Sequence, residues 1–425
     1  MTRMARAPVR QNPGVPIFAL FTANAISMTG NVLALIAIPW FVLQTTGSAA
    51  QTGITGFFSV LPVVVAAFLC GGLVDRLGFK RASITADITS GIAIAFIPLL
   101  RLTVGLAFWQ LLVLVFIGNL LDAPGSTARD ALVPELAERA GMRLERASAW
   151  LQAIERGSRL LGAPIAGFLI AFLDPSSVLW IDAATFFVSA ALVAAAVPHI
   201  PIRRTEEKPQ QYLAGLVDGL RFIWHDHLIR AIVLFVMVTN LFDASGSVIM
   251  PVYVKQQAGT ALDLGWMYAA LGGGSLLGAI LFGAIGHRLP RRLTFTLLFV
   301  IVGLRFWVLA TFPSLPLILI TMIIAGIAAG PLNPIIGTIQ YERIPADLRG
   351  RVFGAITAGA YLAMPFGMLI AGFVLEQIGI QWVLITVGAF YVATTLSLLV
   401  NPAIREMDQV GRTNSAAAVS LSAGK

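Results

Sequence analysis

The chain of 425 residues is 57% hydrophobic and 12% charged, with a net charge of +8 and a mean hydropathy of +0.85. So little polar surface cannot cover a soluble globule of this length, so the solvent of the folded chain is lipid. The positive charge sits in short segments between apolar stretches, which accounts for it without a nucleic-acid partner.

A helix needs about 20 apolar residues to cross the hydrocarbon core. Stretches of that length, separated by charges, Pro or Gly, lie near residues 17–43, 53–73, 82–101, 107–131, 147–173, 177–197, 228–254, 264–286, 293–311, 315–340, 351–375 and 381–400. Their Gly and Leu content and the lack of period-2 alternation make them helices, since lipid leaves no backbone polar group satisfied from outside. The expectation is an all-α integral membrane protein with twelve transmembrane helices.

Span 1 follows Arg3, Arg6 and Arg10 and is too long for a cleaved signal peptide, so it is expected to be retained. It carries a polar stripe, Asn24, Ser27 and Asn31, at helical spacing. Span 2 holds Cys70, the one cysteine, which reads as a small packing residue. Between spans 2 and 3 runs Gly71-Gly72-Leu73-Val74-Asp75-Arg76-Leu77-Gly78-Phe79-Lys80-Arg81. Span 4 is striped by Asn119, Asp122, Ser126 and Arg129, the last near its cytoplasmic end, and span 5 by Gln152, Glu155 and Arg159. Asp182 lies near the outer end of span 6, where a helix-packing or interfacial role is expected.

The longest interruption, His199 to about His227, contains Arg203, Arg204, Glu206, Glu207, Lys208 and Pro209. Its second part has apolar Tyr212, Leu213, Leu216, Val217, Leu220, Ile223 and Trp224 on one face, as in an amphipathic helix lying on the inner leaflet as a linker. Span 7 is striped by Asn240, Asp243 and Ser247, and span 10 by Asn333, Gly337 and Gln340. Gly272-Gly273-Gly274-Ser275 in span 8 lacks the lysine of a phosphate loop and reads as a helix-packing seam. Arg305 in span 9 is placed to snorkel to the outer surface. In span 11, Tyr361, Met364 and Phe366 can stack on an apolar ligand, with plain packing as the competing reading. The tail after Arg405 is rich in Ser, Ala and Gly, as disordered segments are.

Arg and Lys cluster before span 1, after spans 2, 4, 8, 10 and 12 and around the mid-chain interruption, with Lys255 and Arg101 on the other side. The positive-inside rule then places both termini in the cytoplasm of a cell inner, or plasma, membrane. His199, His225, His227 and His287 all fall between spans, so no metal site or histidine relay is expected in the membrane. No cofactor is expected.

The second half repeats the first at a fixed offset. The loop at Gly283 to Arg292 copies that at Gly71, since 283 − 71 = 212 and 288 − 76 = 212. Pro39 pairs with Pro251, Gly47 with Gly259, Gly53 with Gly265, Lys80 with Arg292 and Asn31 with Asp243 at the same offset. The copy has His287 where Asp75 would recur. Two pseudo-symmetric six-helix bundles follow, over residues 1–198 and 228–404, with a linker at 199–227 and a tail at 405–425.

Gly71-x-x-x-Asp75-Arg76-x-Gly78-x-Lys80-Arg81 resembles the loop signature of the major facilitator superfamily. Ala128-Arg129-Asp130-Ala131-Leu132-Val133-Pro134-Glu135-Leu136, Ile181-Asp182-Ala183-Ala184-Thr185-Phe186 and Ile344-Pro345-x-x-Leu348-Arg349-Gly350-Arg351-Val352-Phe353-Gly354 are similar to its drug:proton antiporter-3 branch of macrolide-efflux and siderophore-exporter proteins. The resemblance covers nearly the whole chain. It implies the major facilitator fold, with helices 1, 4, 7 and 10 around a central cavity; the striped spans include those four. It also implies a gating latch from Gly71, Asp75, Arg76, Gly78, Lys80 and Arg81. Physically, a carboxylate at a helix end and three cations at the inner surface suit that role. Span 4 has no arginine at its membrane centre, so the proton-binding arrangement of many relatives does not carry over.

Ionised groups inside a bilayer are costly and mark pairing or function. Asp243 and Asp122 are the proton-coupling candidates, against structural hydrogen bonding, and Glu155 is a third, with Arg159 at i+4 offering a structural ion pair. Asn24, Asn31, Asn119, Asn240, Asn333, Gln340, Tyr361 and Met364 are the substrate-cavity candidates. The expected function is proton-coupled export of hydrophobic or amphipathic, drug- or macrolide-like compounds by a monomer in contact with membrane lipids. Export of a specific metabolite such as a siderophore, or solute uptake, is the alternative within transport. A membrane-embedded enzyme or receptor is the alternative from another class; the short loops and the absence of His or Cys pairs in the spans speak against an enzyme.

Overall fold

The computed structural model describes residues 13–200, 209–346 and 348–408, and the side chains among them except at 67–73, 75, 76, 209–216 and 408. Six long helices form the first bundle: α1 (Val15–Thr46), α2 (Ala49–Leu77), α3 (Phe79–Leu102), α4 (Phe108–Arg139), α5 (Leu144–Phe172) and α6 (Pro175–Ala196). A shorter helix, α7 (Pro209–His225), leads into the second bundle of α8 (His227–Gln256), α9 (Ala261–Ile285), α10 (Arg291–Ala310), α11 (Leu315–Ala329), α12 (Leu332–Arg343) and α13 (Arg349–Val400). The second bundle also makes six crossings. Expected span 10 is broken into α11 and α12 at Gly330-Pro331, where the proline ring removes a backbone donor and clashes with the preceding turn. In α13 the expected spans 11 and 12 run together, separated by Gly379, whose φ of 76° is open to glycine at little cost. Large apolar side chains such as Leu161, Ile280, Ile320, Ile324 and Phe390 stay exposed around the outside, as a lipid-facing surface requires.

Helix α4 continues to Arg139, past the expected end near 131, with its last turn braced by the Glu135–Arg139 pair at 2.9 Å. Without a hydrophobic force between helices in lipid, close approach depends on small residues. The expected seam in span 8 is one case: Gly274 and Gly278 lie against the backbone of Ile323 and Ile327, and Gly326 and Gly330 against that of Leu271 and Ser275, joining α9 to α11.

The two bundles meet on the face opposite the basic loops. A Cβ on Gly53 of α2 would stand 2.7 Å from the Met368 carbonyl and 2.8 Å from the Gly372 Cα of α13. A Cβ on Gly265 of α9 would stand 2.9 Å from the Ala163 carbonyl and 3.1 Å from the Gly167 Cα of α5. Gly53 and Gly265 are repeat partners, so the pseudo-twofold axis generates one contact from the other. The Phe57 and Phe366 rings meet edge-on at 5.7 Å on the first of these seams. Farther out, the Ala50 N–H donates to Glu376 Oε1 at 3.1 Å, joined by the Ser48 hydroxyl, and Lys255 Nζ donates to the Leu43 carbonyl at 2.7 Å. Thus the N-terminus of α2 receives an anion, and the C-terminus of α1 a cation, each from the other bundle.

On the basic face, Gly78 turns the chain between α2 and α3 with φ 86°. Lys80 Nζ donates to the Ala194 carbonyl at 2.8 Å, and Arg292 donates to the Leu399 carbonyl. Each cation thereby caps the last turn of the final helix in its bundle, and the offset between the acceptors is 399 − 194 = 205. The side chains of Gly71, Asp75 and Arg76 lie outside the described ones, as do Arg3, Arg6, Arg10, Arg203, Arg204, Glu206, Glu207, Lys208 and the tail from 409. Helix α7 is pinned to the second bundle: Gly219 lies on the Arg351 backbone, Ile223 is buried and Arg351 reaches Asp218 at 3.3 Å. Val217, Leu220 and Trp224 remain exposed on α7, a face suited to the membrane surface.

Two outcomes are expected. Gly53→Ala forces the α2–α13 seam apart at about 1–3 kcal/mol of overpacking strain, so spin labels on Thr46→Cys and Gln257→Cys in a Cys70→Ser background report a longer mean distance than with Gly53 intact. Asp174 caps α6 by accepting from the Ser176 N–H at 3.1 Å and pairs with Arg101 at 2.6 Å. Burial pushes its carboxyl up, but the Ser176 hydroxyl and N–H and the Arg101 guanidinium outweigh this and hold it below the usual carboxylate range. Asp174→Ala therefore lowers stability by about 1 kcal/mol in thermal unfolding in detergent. The difference is complete above about pH 4 and disappears as pH falls through the depressed native value.

Candidate functional site

The first bundle is organised around a charge without access to water. Arg129 of α4 is 1% exposed. Its Nη1 donates to Asp87 Oδ1 of α3 at 2.5 Å, its Nε to Asn24 Oδ1 of α1 at 2.7 Å, and its Nη2 to Ser27 Oγ at 3.5 Å. The Ser189 hydroxyl of α6 donates to Asp87 Oδ2 at 2.7 Å. Four helices are tied together at one point. Gly125, one turn before Arg129, makes room: a Cβ there would stand 2.8 Å from the Ala86 Cβ. Arg129, expected near the cytoplasmic end of span 4, is followed by ten more residues of α4 (139 − 129 = 10) and is enclosed by α1, α3 and α6.

Asp122, two turns from Arg129 toward the bilayer centre, joins the network and also faces open space. Its Oδ1 is 3.8 Å from Arg129 Nη2 without a hydrogen bond, and its Oδ2 accepts from Asn31 Nδ2 at 3.0 Å. It lies on the wall of a cavity of about 370 Å³, lined mainly by α1, α2, α4, α5 and α6, with Ser247 of α8 and Met368 of α13 closing it from the second bundle. Asn31, Asn119 and Glu155 share that wall, and Glu155 pairs with Arg159 at 3.1 Å as the i+4 spacing implied. The lining residues do not include Asn24, Asn240, Asn333, Gln340, Tyr361 or Met364. Asn24 instead holds Arg129, and Asn240 donates to the Ala360 carbonyl at 3.2 Å. Asn333 and Tyr361 are exposed, Gln340 lines a small gap beside Ile232 and Ile356, and Met364 packs on the apolar core. Phe366 meets Phe57 edge-on across the bundle seam.

The second bundle holds a different arrangement. Arg305 Nη2 of α10 pairs with Asp243 Oδ1 of α8 at 2.5 Å, while the Tyr391 hydroxyl donates to Asp243 Oδ2 at 3.3 Å. The guanidinium also stacks over the Phe306 ring at 4.6 Å. Arg305 is 7% exposed, so the expected snorkelling does not occur: a carboxylate in reach and an aromatic face outcompete the distant surface. Asn31 and its repeat partner Asp243 each bind a group of their own bundle.

Two residues of these clusters, Asp87 and Tyr391, escaped the sequence reading, and a third, Arg305, was noted only as a snorkelling cation. Asp87 is a lone acid in an apolar span, a signal that was present but had no striped neighbour. Tyr391 and Arg305 belong to helices without a polar stripe, so nothing in the spacing linked them to Asp243. Asp182 was expected in a packing or interfacial role. It does pack, against Gly30 of α1, but it is wholly buried and contributes to the cavity wall rather than to a surface. Among the described residues no group of three or more His, Cys, Asp or Glu side chains is disposed to hold a metal ion.

This architecture recurs in known proteins. The crystal structure of nucleoside transporter NupG matches it with a TM-score of 0.75 at 14% identity, covering 92% of this chain and 98% of that one. A D-xylose-proton symporter matches with a TM-score of 0.67 at 14% identity, over 90% and 97%. By sequence, multidrug efflux pump Tap of Mycobacterium tuberculosis (strain ATCC 25618 / H37Rv) is 34% identical over 92% of this chain and 95% of its own length. Macrolide efflux protein A of Streptococcus pyogenes is 21% identical over 92% and 97%. The sequence profile of the Major Facilitator Superfamily matches residues 20–261 and 241–421. With the fold, the internal repeat and that match in agreement, the chain belongs to the Major Facilitator Superfamily of multi-pass membrane transporters.

Proposed function

We propose that this transporter exports hydrophobic or amphipathic, drug- or macrolide-like compounds in exchange for protons by alternating access. The observation that carries this reading is the cavity wall at Asp122, where one carboxylate touches both the substrate space and the buried Arg129 network. The names of the relatives, a multidrug efflux pump and a macrolide efflux protein, support the direction and the compound class. The family is one of transporters, not enzymes.

In this reading the basic face is cytoplasmic, by the positive-inside rule, and both termini lie there in a monomer of the plasma membrane. The glycine seams and the two cross-bundle caps then close the outer side. Protonating Asp122 removes one of the two carboxylates around Arg129, leaving the guanidinium to Asp87, Asn24 and Ser27. The balance of attraction between α3 and α4 changes, and with it the shape of the cavity wall. A compound arriving from the cytoplasmic side and a proton arriving from outside thus compete for one carboxylate. Asp243, held by Arg305 and Tyr391, serves as the fixed counter-charge of the second bundle or as a second exchange site. Glu155, already paired with Arg159, is the weaker coupling candidate. The gating assignment of Gly71, Asp75, Arg76, Gly78, Lys80 and Arg81 stands as part of the proposal, with Lys80 acting through the end of α6. Acids outnumber cations on the cavity wall, which disfavours an anionic siderophore as the compound carried.

The test is transport in proteoliposomes with an imposed proton gradient, using macrolides, dyes and siderophores. Asp122→Asn is expected to abolish gradient-driven transport while leaving downhill exchange intact. Unchanged gradient-driven transport in both Asp122→Asn and Asp243→Asn removes the coupling assignment. Arg129→Leu leaves Asp87 buried without its partner and is expected to cost about 3–5 kcal/mol, seen as a fall in the unfolding temperature in detergent. Asp87→Asn in the same background is expected to restore part of that loss, because it removes the stranded charge.

A further inference from the structure

With successive residues about 100° apart, helix α7 divides into three arcs. Gly219 and Ile223 face the second bundle, and Asp218 and His225 lie along a second arc. Val217, Leu220 and Trp224 make the third, which stays 60%, 56% and 66% exposed. Arg221, also exposed, stands on the border between the second and third arcs. Three large apolar side chains in a row beside a lipid-facing bundle need cover, and a bilayer surface supplies it, with the indole of Trp224 at the level where such rings settle.

Charge at the elbow between α7 and α8 is unevenly matched. Its acids are engaged by cations of other helices. Asp218 pairs with Arg351 of α13 at 3.3 Å. Asp226 accepts from Arg343 of α12 at 2.7 Å and from the Ile229 N–H at 3.0 Å, and Glu406 shares Arg343 at 3.0 Å. Two cations are left over. Among the described residues no carboxylate pairs with Arg221 or Arg230. Arg230 Nη1 donates to the Trp224 carbonyl at 2.7 Å and Nη2 meets His227 Nδ1 at 3.0 Å, which holds the guanidinium over the Trp224 ring at 5.5 Å from its centroid. Arg221 is one turn before Trp224 on α7. Two guanidinium groups without a counter-charge thus stand next to an exposed indole.

We infer that this elbow is a binding site for an acidic phospholipid, whose phosphodiester is held by Arg221 and Arg230 while its acyl chains cover Val217, Leu220 and Trp224. The lipid supplies the missing negative charge and the missing apolar cover at one place, and guanidinium groups match a phosphodiester in geometry as well as in charge. Because Asp218 and Gly219 fasten α7 to α13, a lipid bound here is anchored to the second bundle.

Native mass spectrometry of the full-length protein in detergent tests this, with titration by phosphatidylglycerol and by phosphatidylcholine of the same acyl chains. Wild type is expected to bind its first phosphatidylglycerol about tenfold or more tighter than phosphatidylcholine. Arg221→Gln is expected to lose about fivefold of that preference, and the double variant Arg221→Gln, Arg230→Gln all of it. Phosphatidylcholine binding at the wild-type level shows that each variant is folded. Arg146→Gln, on the exposed start of α5, is expected to keep the preference, and excess inorganic phosphate to leave the lipid in place. A wild type without the preference overturns the inference, as does an undiminished preference in the double variant. An equal loss in Arg146→Gln reduces the effect to diffuse surface charge, and displacement by inorganic phosphate makes the site one for a soluble anion; either result removes the lipid site.

Discussion

A guanidinium buried in the first bundle constrains everything built around it. Arg129 cannot reach water, so its donors turn to acceptors on α1 and α3, and Ser189 of α6 then fixes the carboxylate that balances it. Removing one member strands a charge in a low dielectric, so the network holds these helices together. Asp122 stands at the edge of this rigid assembly, within reach of both the fixed charge and the open cavity. A rigid core with one titratable group on its rim suits a transporter in which proton and substrate must sense each other.

The two halves share a frame and differ in content. Gly53 and Gly265, Lys80 and Arg292, and Pro39 and Pro251 hold equivalent places, and the seams made by the two glycines follow the pseudo-twofold axis. The buried charges do not follow it. One bundle places its arginine on α4 and pairs it with α3; the other places it on α10 and pairs it with α8. The described cavity lies almost wholly in the first bundle, with the second contributing Ser247 and Met368. Small residues at helix contacts are dictated by backbone approach and so persist in both halves, whereas buried charges answer to their local partners and are free to diverge.

Most of the fold was legible in the residues. Apolar length located all twelve crossings, and the repeat and the Gly-rich loop indicated two bundles. The exceptions are local: α4 outlasts the apolar layer, Pro331 divides one span, and a single glycine at 379 separates two others. The site was legible only in part. Helical spacing found Asn31, Asn119, Asp122 and Glu155 together, because residues three and four apart share a face. It could not find Asp87 or link Arg305 to Asp243, since their partners lie on other helices, and it left Asp182 with a helix-packing or interfacial role because depth along a helix says nothing about which neighbour covers it.

What the sequence determined by itself is the medium, the number of crossings and the two-fold plan, since these follow from apolar length, backbone hydrogen-bond satisfaction and a fixed offset along one chain. Which carboxylate meets which guanidinium was decided by the tertiary structure. Arg129 selects Asp87 over the nearer-in-sequence Asp122 and Asp130, and Arg305 turns inward to Asp243 across 62 residues of chain. The reason is physical: a buried charge is stabilised by the groups that surround it in three dimensions, and the order of residues along a helix fixes only the face on which it begins its search.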